Sequence, residues 1–290
     1  DISDNFEDFY KLLHDKTSLE NELYKLSQDK TSLENENNIF DSDTNDYNVQ
    51  NSLLLINESY NSITNSITDI NNLLYLIKYR NNINNYESYL RFAAERGLLN
   101  LVKYLVNKGA NIHTSDDEAL KSASNNGHLK VVKYLLDNGA NIHADEDYSL
   151  RLAVDNGHLE TVIHLIENGA NINVMRGISL ILAVQNGRLD IVKYLVENEA
   201  DIHTDSGINA LGWAAHNGRL DIVKYLVENE ADVHADDNHA LIIAGAFGYL
   251  EIVKYLVDKG ANIHSDNDEA LREAEINGHD EVAAYLKSLP

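Results

Sequence analysis

Histidines recur at one point of a regular sequence pattern, and they are the first residues along the chain that could carry metal chemistry. They are His113, His143, His203, His234 and His264, while Asn173 takes their place in one further copy. A metal site requires ligands that converge on one ion, whereas stacked helices lie roughly 10 Å apart. We therefore expect these residues to form hydrogen bonds with neighbouring copies. The alternative is a pH-sensitive partner contact.

Clusters of acidic residues recur just after the histidines. The clusters are Asp116-Asp117-Glu118, Asp145-Glu146-Asp147, Asp236-Asp237 and residues 266–269. Neighbouring carboxylates can serve in acid–base catalysis or bind Ca²⁺. These clusters, however, lack both an apolar surrounding that would shift a pKa and the spacing of an EF-hand loop. The sequence therefore predicts an exposed acidic rim, which either keeps the protein soluble or docks a basic partner.

Motifs of known catalytic chemistry are missing from the sequence. There is no nucleophile elbow, phosphate-binding loop, H-E-x-x-H motif or dinucleotide-binding fingerprint. The chain also has no cysteine, which removes thiolate metal sites, disulfides and cysteine nucleophiles. We therefore predict a non-enzymatic protein with no catalytic residues, no cofactor and no metal.

The charge balance restricts the class of partner. The formal net charge is −24, from 47 acidic and 23 basic residues. Such a chain would repel a nucleic acid, and no apolar stretch approaches the ~18 residues of a membrane-spanning helix. The sequence thus predicts a protein partner with a basic surface, no nucleic acid and no membrane. It also predicts a cytoplasmic location and not a secreted one.

Glycines mark the elements that must position these residues. Successive copies are spaced by 30 or 31 residues, at Gly97, Gly127, Gly157, Gly187, Gly218, Gly248 and Gly278. In the copy from 115 to 144, Leu120 and Ala123 are three residues apart, and a second stripe with helical spacing begins at Leu129. Each copy therefore predicts two short helices that end at glycine turns. One such pair is too small to bury both apolar stripes, so we expect the copies to stack as a solenoid.

These copies resemble the ankyrin repeat. The outer half of each copy matches closely, as in Gly127-His128-Leu129 and in Asn141-Ile142 after the second helix. The resemblance implies an all-α ankyrin solenoid of stacked helix pairs, with units starting at about 85, 115, 145, 175, 205 and 236 and a C-terminal cap at 266–290. A degenerate half-unit at 61–84 precedes it, with residues 73–77 and Asn82-Ile83-Asn84 on the same pattern.

The units depart from the ankyrin pattern in length. An ankyrin unit runs to about 33 residues, and the three residues missing here fall between His143 and Leu150 and at the equivalent places, where the family has a projecting β-turn. We therefore expect shortened inter-unit turns. Such short units, rich in Asn, Ile, Tyr and Lys, resemble the ankyrin proteins of giant DNA viruses of the mimivirus kind. That resemblance implies a location in the host cytoplasm and a host protein as the target.

Residues 1–60 form an acidic N-terminal extension with a different pattern. The octapeptide Asp-Lys-Thr-Ser-Leu-Glu-Asn-Glu occurs at 15–22 and again at 29–36. A seam with steps of four and three residues comprises Leu12, Lys16, Leu19, Leu23, Leu26, Lys30 and Leu33. We predict a coiled coil over residues 10–37 and hence a homo-oligomer, or else an amphipathic helix that folds back on the array. Residues 35–72, rich in Asn, Asp and Ser, predict a linker or a loosely ordered helix.

The ankyrin resemblance implies that a partner binds to the inter-unit turns and to the inner helices. Phe247 replaces the Asn that precedes the turn glycine in neighbouring copies, and Arg176 is the one base in the inter-unit turns, while Trp213 is expected to fill the core. The predicted partner-binding residues are Asp116, Asp117, Glu118, Asp145, Glu146, Asp147, Tyr148, Arg176, Asp236, Asp237, His239 and Phe247. The predicted function is protein–protein interaction, and the alternative is a scaffold that assembles through the coiled coil.

Overall fold

The computed structural model describes residues 2–39, 47–79, 86–203 and 209–290, and it forms two compact units, residues 1–114 and 115–290. Every regular element of that described part is a helix, sixteen in all, which confirms the predicted all-α class. None of the described helices is long and apolar enough to cross a membrane.

The first unit contains four helices. They are α1 (Ile2–Ile39), α2 (Tyr47–Tyr79), α3 (Tyr86–Glu95) and α4 (Leu99–Asn107). α1 packs along α2, α3 packs on α4, and α2 also contacts α4. The two long helices therefore form a pair, and α2 runs without a break through residue 60, where the predicted extension ends.

The predicted seam of α1 packs within the chain. Its described members, Lys16, Leu19, Leu23, Leu26, Lys30 and Leu33, are half-buried, while the side chain of Leu12 lies outside the described residues. The helix against which α1 packs is α2, whose Ile63 is buried. The seam is thus covered by α2 of the same chain and is not free for the predicted coiled coil between copies.

The predicted half-unit at 61–84 falls mostly on α2. Residues 61–79 belong to that helix, and α2 does not stop at residue 61. Asn82-Ile83-Asn84 and the side chains of Leu73 and of residues 75–77 lie outside the described residues.

Asp69 of α2 secures the start of α4. Its side chain is buried, and its carboxylate accepts a hydrogen bond from the backbone of Leu101 in the first turn of α4. Leu98, which precedes that helix, provides no side-chain cap of its own. Burial raises the pKa of Asp69, and the bond from Leu101 opposes that rise. The carboxylate therefore replaces the missing cap and fastens α4 to α2.

The second compact unit consists of six helix pairs, and each pair is one repeat unit of the array. The inner helices are α5 (Thr114–Asn125), α7 (Ala144–Asp155), α9 (Val174–Gln185), α11 (Ala210–His216), α13 (Ala235–Ala246) and α15 (Ser265–Ile276). The outer helices are α6 (Leu129–Asp137), α8 (Leu159–Glu167), α10 (Leu189–Glu197), α12 (Leu220–Glu228), α14 (Leu250–Asp258) and α16 (Asp280–Lys287). From α7 onwards inner helices pack on inner helices, and from α6 onwards outer helices pack on outer ones. This is the predicted ankyrin-type solenoid.

Small residues allow the inner helices to approach one another. Buried alanine or serine occupies two positions in each: Ala119 and Ala123, Ser149 and Ala153, Ser179 and Ala183, Ala210 and Ala214, Ala240 and Ala244, Ala270 and Ala274. At Gly245 an added β-carbon would lie only 2.7 Å from the carbonyl oxygen of Ala270, so even alanine does not fit there. Outer helices bury larger residues instead, such as Val132 and Leu135. Both rows are therefore filled across unit boundaries.

Short left-handed turns join one pair to the next. Three consecutive residues have φ between +48° and +72° at 115–117, 145–147, 175–177, 236–238 and 266–268. Among side-chain-bearing residues, Asp and Asn tolerate this conformation best. The turns take the place of the family's projecting β-turn, which confirms the predicted shortening. Their backbone also gives a structural reason for the acidic clusters, because Asp and Asn fill most of these positions.

Glu199→Gly tests the backbone strain at the ends of the outer helices. Glycine occupies this left-handed position at Gly139 and Gly169, whereas Glu199 adopts φ +67° with a side chain. We expect the substitution to raise the free energy of unfolding by about 1 kcal/mol. Urea titration measures the change. Glu197→Gly, inside the last turn of α10, should instead lower stability by about 1 kcal/mol, and a Glu199→Gly protein less stable than the parent would contradict the assignment.

Candidate interaction surface

In several left-handed turns the third residue has a side-chain oxygen that accepts a hydrogen bond from the backbone of the next unit. Asp117 accepts a hydrogen bond from the backbone N–H of Asn141 at 2.8 Å, and Asp147 accepts one from Asn171 at 2.9 Å. Both acids are buried, with exposed fractions of 3% and 4%. The prediction that Asp117 and Asp147 contact a partner is therefore wrong. Their carboxylates face the neighbouring unit, and we call such side chains inter-unit acceptors.

An amide serves as the inter-unit acceptor in the turn at 236–238. Asn238 accepts from the backbone N–H of Asn262 at 2.8 Å, and its own amide donates to the Ser265 hydroxyl at 3.0 Å. The bond spans the same 24 residues as the two bonds made by aspartates. A negative charge is therefore not required at this position, but a side-chain oxygen is.

Gly177 stands at this position in the third turn and has no side chain to offer. Asn173 replaces it, because its amide oxygen accepts from the backbone of Asp201 at 2.9 Å and its amide nitrogen donates to the Glu199 carbonyl at 3.1 Å. The predicted bond from Asn173 to a neighbouring copy is thus confirmed. The departure of Asn173 from the histidine pattern compensates for the departure at Gly177.

The histidines at the Asn173 position mostly bond within their own unit. His143 Nδ1 lies 3.0 Å from the carboxylate of Asp147, and His264 Nδ1 lies 2.6 Å from that of Asp268. The hydrogen bond with Asp268 raises the pKa of His264. For these two histidines the predicted bond to a neighbouring copy is wrong, because the acid four residues later in the same turn is nearer than the next unit.

A buried lysine engages two of the predicted rim acids. The ammonium of Lys121, which is 5% exposed, lies 3.0 Å from Asp145 and 3.4 Å from Glu118. Burial lowers the pKa of Lys121, but the hydrogen bonds and charges of Asp145 and Glu118 outweigh it, so the pKa is raised overall. Removing either partner would weaken the compensation of a buried charge. Glu118 and Asp145 therefore hold the first two turns of this unit together.

The other predicted turn residues remain exposed. Their side chains stand on the left-handed turns or immediately after them: Asp116, Glu146, Tyr148, Arg176, Asp236 and Asp237. The guanidinium of Arg151 lies 4.6 Å from the Tyr148 ring centre and also donates to the Asp145 carbonyl at 2.8 Å. We call the exposed acids Asp116, Glu146, Asp236 and Asp237 the acidic rim. His239, which follows the turn at 236–238, is half-buried.

Phe247 lies at the opposite end of its helix from the acidic rim. Eight residues at 1.5 Å each separate it from His239, which is about 12 Å along α13. The Phe247 ring is 45% exposed, and its centre lies 4.7 Å from that of His216 and 6.1 Å from that of Tyr249. The Trp213 ring centre lies 5.5 Å from that of His216. The structure therefore divides the predicted site residues between two ends of the inner helices.

Trp213 is half-buried, so the prediction that it fills the core is wrong. The equivalent Leu152, Leu182 and Ile243 are half-buried as well. This position is therefore only partly covered in each of these units. We call Trp213, His216, Phe247 and Tyr249 the aromatic cluster. The sequence singles out Phe247 and Trp213, but aligning the copies on the turn glycines also brings out the rings of His216 and Tyr249.

The aromatic cluster replaces a polar ladder found in earlier units. At the two positions before the turn glycine, Asn156 donates to the side chain of Asn125 at 3.0 Å, and Asn186 donates to Asp155 at 2.8 Å. His216 and Phe247 occupy the corresponding places in the fourth and fifth pairs. A hydrogen bond between units has thus been exchanged for an edge-to-face ring contact.

No metal site stands out in the described part of the chain, where no three His, Asp or Glu side chains converge. A groove of about 500 Å³ in the first unit lies between α1, α2 and α4 and is lined by Leu19, Asp69, Leu101 and Tyr104, among others. Its buried carboxylate, Asp69, already accepts from the backbone of α4. That carboxylate is therefore engaged within the fold.

Comparisons with known proteins agree with this architecture. A family model described as ankyrin repeats in three copies matches residues 62–146, 90–176 and 150–237, and a single ankyrin repeat model matches residues 236–268. Among solved structures, the crystal structure of the human ASB11 ankyrin repeat domain is similar, with 26% sequence identity and a TM-score of 0.61. The match covers 69% of this chain and 98% of that one. A comparison with curated proteins found no match.

Substitution of Asp147 tests the inter-unit acceptor. We expect Asp147→Ala to lower the free energy of unfolding by about 1–3 kcal/mol, because the buried N–H of Asn171 loses its acceptor. Asp147→Asn should restore most of the loss, since Asn238 already fills the role in another unit. Urea or thermal unfolding measures both.

Glu146→Ala is the matched control for Asp147→Ala. Glu146 is also left-handed, with φ +56° against +54° for Asp147. The substitution likewise removes a carboxylate, but from an exposed side chain. Its effect should stay within about 0.5 kcal/mol. Equal losses for Glu146→Ala and Asp147→Ala would show that the hydrogen bond to Asn171 contributes nothing.

Proposed function

Because this chain belongs to the ankyrin-repeat family, we propose that it is a non-enzymatic protein-interaction module that binds a partner protein with a basic surface. The contact surface is the acidic rim together with the exposed side of the inner helices. The observation that carries the proposal is the set of exposed acids on successive turns: Asp116, Glu146, Asp236 and Asp237. No described base forms an ion pair with any of these four carboxylates.

The turns suit this role because their backbones are held firmly. The turns at 115–117, 145–147 and 236–238 end in a side chain buried against the next unit, and the turn at 175–177 is backed by Asn173. The exposed acids of these turns are therefore presented from a fixed backbone, which lowers the cost of ordering them on binding. Arg176 interrupts the rim at its middle turn. A partner would have to place a neutral or acidic group opposite it.

The charge of the chain supports a basic protein as the partner class. A net charge of −24 disfavours a nucleic acid or an anionic membrane surface. Complementary charges act mainly on the rate of encounter and on specificity. The proposed partner thus carries Lys or Arg residues along one edge. Host-protein targeting in a host cytoplasm, and the giant-virus origin itself, stay predictions from the sequence style.

A second candidate function is assembly of copies into a scaffold. Its support is the exposure of large apolar residues on the first unit, where Leu54 is 57% exposed, Leu55 63% and Tyr24 66%. The predicted seam lies on α1, which packs against α2, whereas these exposed side chains are available for contact between copies. Light scattering on the full chain tests the idea: a monomeric mass that is unchanged by Leu54→Glu with Leu55→Glu would remove it.

Neutralising the acidic rim tests the interaction proposal. We expect full-length chain to capture a basic protein from cells in which it occurs, and the purified partner should associate about tenfold more slowly with a variant carrying Asp116→Asn, Glu146→Gln, Asp236→Asn and Asp237→Asn. Surface plasmon resonance at two salt concentrations measures the rates.

A variant with four neutralised acids on the outer helices is the control: Asp137→Asn, Glu167→Gln, Glu197→Gln and Glu228→Gln. These side chains are exposed and the change in net charge is the same. Its association rate should stay close to that of the parent. Equal slowing in both variants would mean that only net charge matters, and capture of no protein at all would contradict the proposed function.

A further inference from the structure

Four departures from the repeat pattern meet at one place in the second unit. Within the second unit, Phe247 replaces Asn and Tyr249 replaces His or Arg in their columns of the repeat, while the column of Trp213 otherwise holds Ser122, Leu152, Leu182, Ile243 and Glu273. His216 replaces the Asn, Asp or Gln of earlier units. The side chains come from two successive units, yet their rings form a continuous series of contacts. This convergence is not required for packing, because the other units stack without it.

One side of the aromatic cluster packs against the preceding unit, while Phe247 remains accessible to solvent. The Tyr249 ring lies against the turn of the preceding unit, where a β-carbon added to Gly218 would sit 2.8 Å from it. Phe247 stacks parallel to that ring, with 9° between the planes, and meets His216 edge to face. Phe247 nevertheless remains 45% exposed. A rigid aromatic surface is thus presented to solvent.

Several other tyrosine rings of this chain have one of its own cations over a face. Arg151 lies over Tyr148, Lys193 over Tyr225, and Lys224 and Lys259 over Tyr255. Within the described ranges, no Lys or Arg lies over a ring of the aromatic cluster. The faces of these rings attract cations by their quadrupoles. The cluster therefore has unused capacity for a cation from outside the chain.

The charge of the chain favours a cation further. The formal net charge is −24, and a field of this sign attracts a cation and repels an acidic side chain. An aliphatic side chain would gain nothing from that field.

We propose that the aromatic cluster is a subsite for an arginine side chain of the partner protein, whose guanidinium stacks on the cluster at its exposed ring, Phe247. Arginine fits better than lysine because its planar, weakly hydrated head stacks on aromatic faces, whereas a lysine ammonium holds its water more strongly. This inference deepens the proposed function and rests on it. It adds an arginine anchor at the far end of the inner helices from the acidic rim.

The single tryptophan makes the subsite directly observable. Trp213 is the only Trp of the chain, so its fluorescence reports on the cluster alone. The probes are blocked pentapeptides, acetyl-Gly-Ser-X-Ser-Gly-amide, with X as arginine, lysine, citrulline or leucine, added to the full-length chain at low salt. We expect a saturable change with arginine, and an affinity at least about threefold higher than for the other three.

Substitutions that follow the repeat pattern serve as variants. Phe247→Asn introduces the residue of neighbouring units and should weaken binding of the arginine peptide about fivefold or more. Ile276→Asn introduces the residue found at position 125 and removes an exposed apolar side chain that is not part of the cluster, so affinity should not change. Circular dichroism and thermal melts confirm that each variant folds.

Three results would overturn the subsite: leucine or citrulline peptide binding as tightly as arginine, unchanged affinity in Phe247→Asn, or no saturable change at all. Each is distinct from failure of the proposed function, because the peptides need no cellular partner. If the arginine peptide binds but no protein is captured, the proposed interaction module is contradicted and the arginine subsite is not. If a protein is captured equally well by the parent and by Phe247→Asn, and no peptide binds, the arginine subsite alone is contradicted.

Discussion

The array depends on how little chain is available between one helix pair and the next. A connection must reverse direction and reach the following unit within a few residues, and the described ones at 115–117, 145–147, 175–177, 236–238 and 266–268 do so with three residues in the left-handed region. For residues with a side chain, that conformation costs roughly 1–2 kcal/mol per residue. It is tolerated because the turn also places an oxygen against an otherwise unpaired backbone N–H of the next unit. The same three residues thus carry the backbone strain and supply the acceptor of the hydrogen bond between units.

This constraint explains why the acids in one cluster have different roles. In the second turn the backbone aims Asp147 inward, at the neighbouring unit, and leaves Glu146 in solvent. Asp145 is drawn to the buried Lys121. What remains for a partner is a smaller set than the sequence suggests, but one carried on a fixed backbone. At the other end of the inner helices, where no such turn intervenes, rings replace amides without disturbing the stack.

Much of the architecture could be predicted from the sequence, because glycine spacing and helical periodicity depend on local rules. The helix pairs, the solenoid and the shortened turns are all confirmed. The buried state of Asp117 could not be predicted, since adjacent aspartates look alike until the backbone angles are known. The apolar residues at the equivalent places, Leu152, Leu182 and Ile243, predict a core position for Trp213, but all four side chains are half-buried. The α1 seam matched a coiled coil because a heptad pattern does not say whether the covering helix belongs to the same chain.

Amide hydrogen exchange at Asn171 is the most direct test of the central claim that each unit is bonded to the next through its turn. The side chain of Asn171 is exposed, so its amide would exchange quickly if the turn stood alone. We expect the Asn171 amide to exchange as slowly as the amides of the buried helices, and to exchange rapidly in Asp147→Ala. Exchange in the parent protein as fast as in an unfolded peptide would show that the bond to Asp147 is not formed in solution.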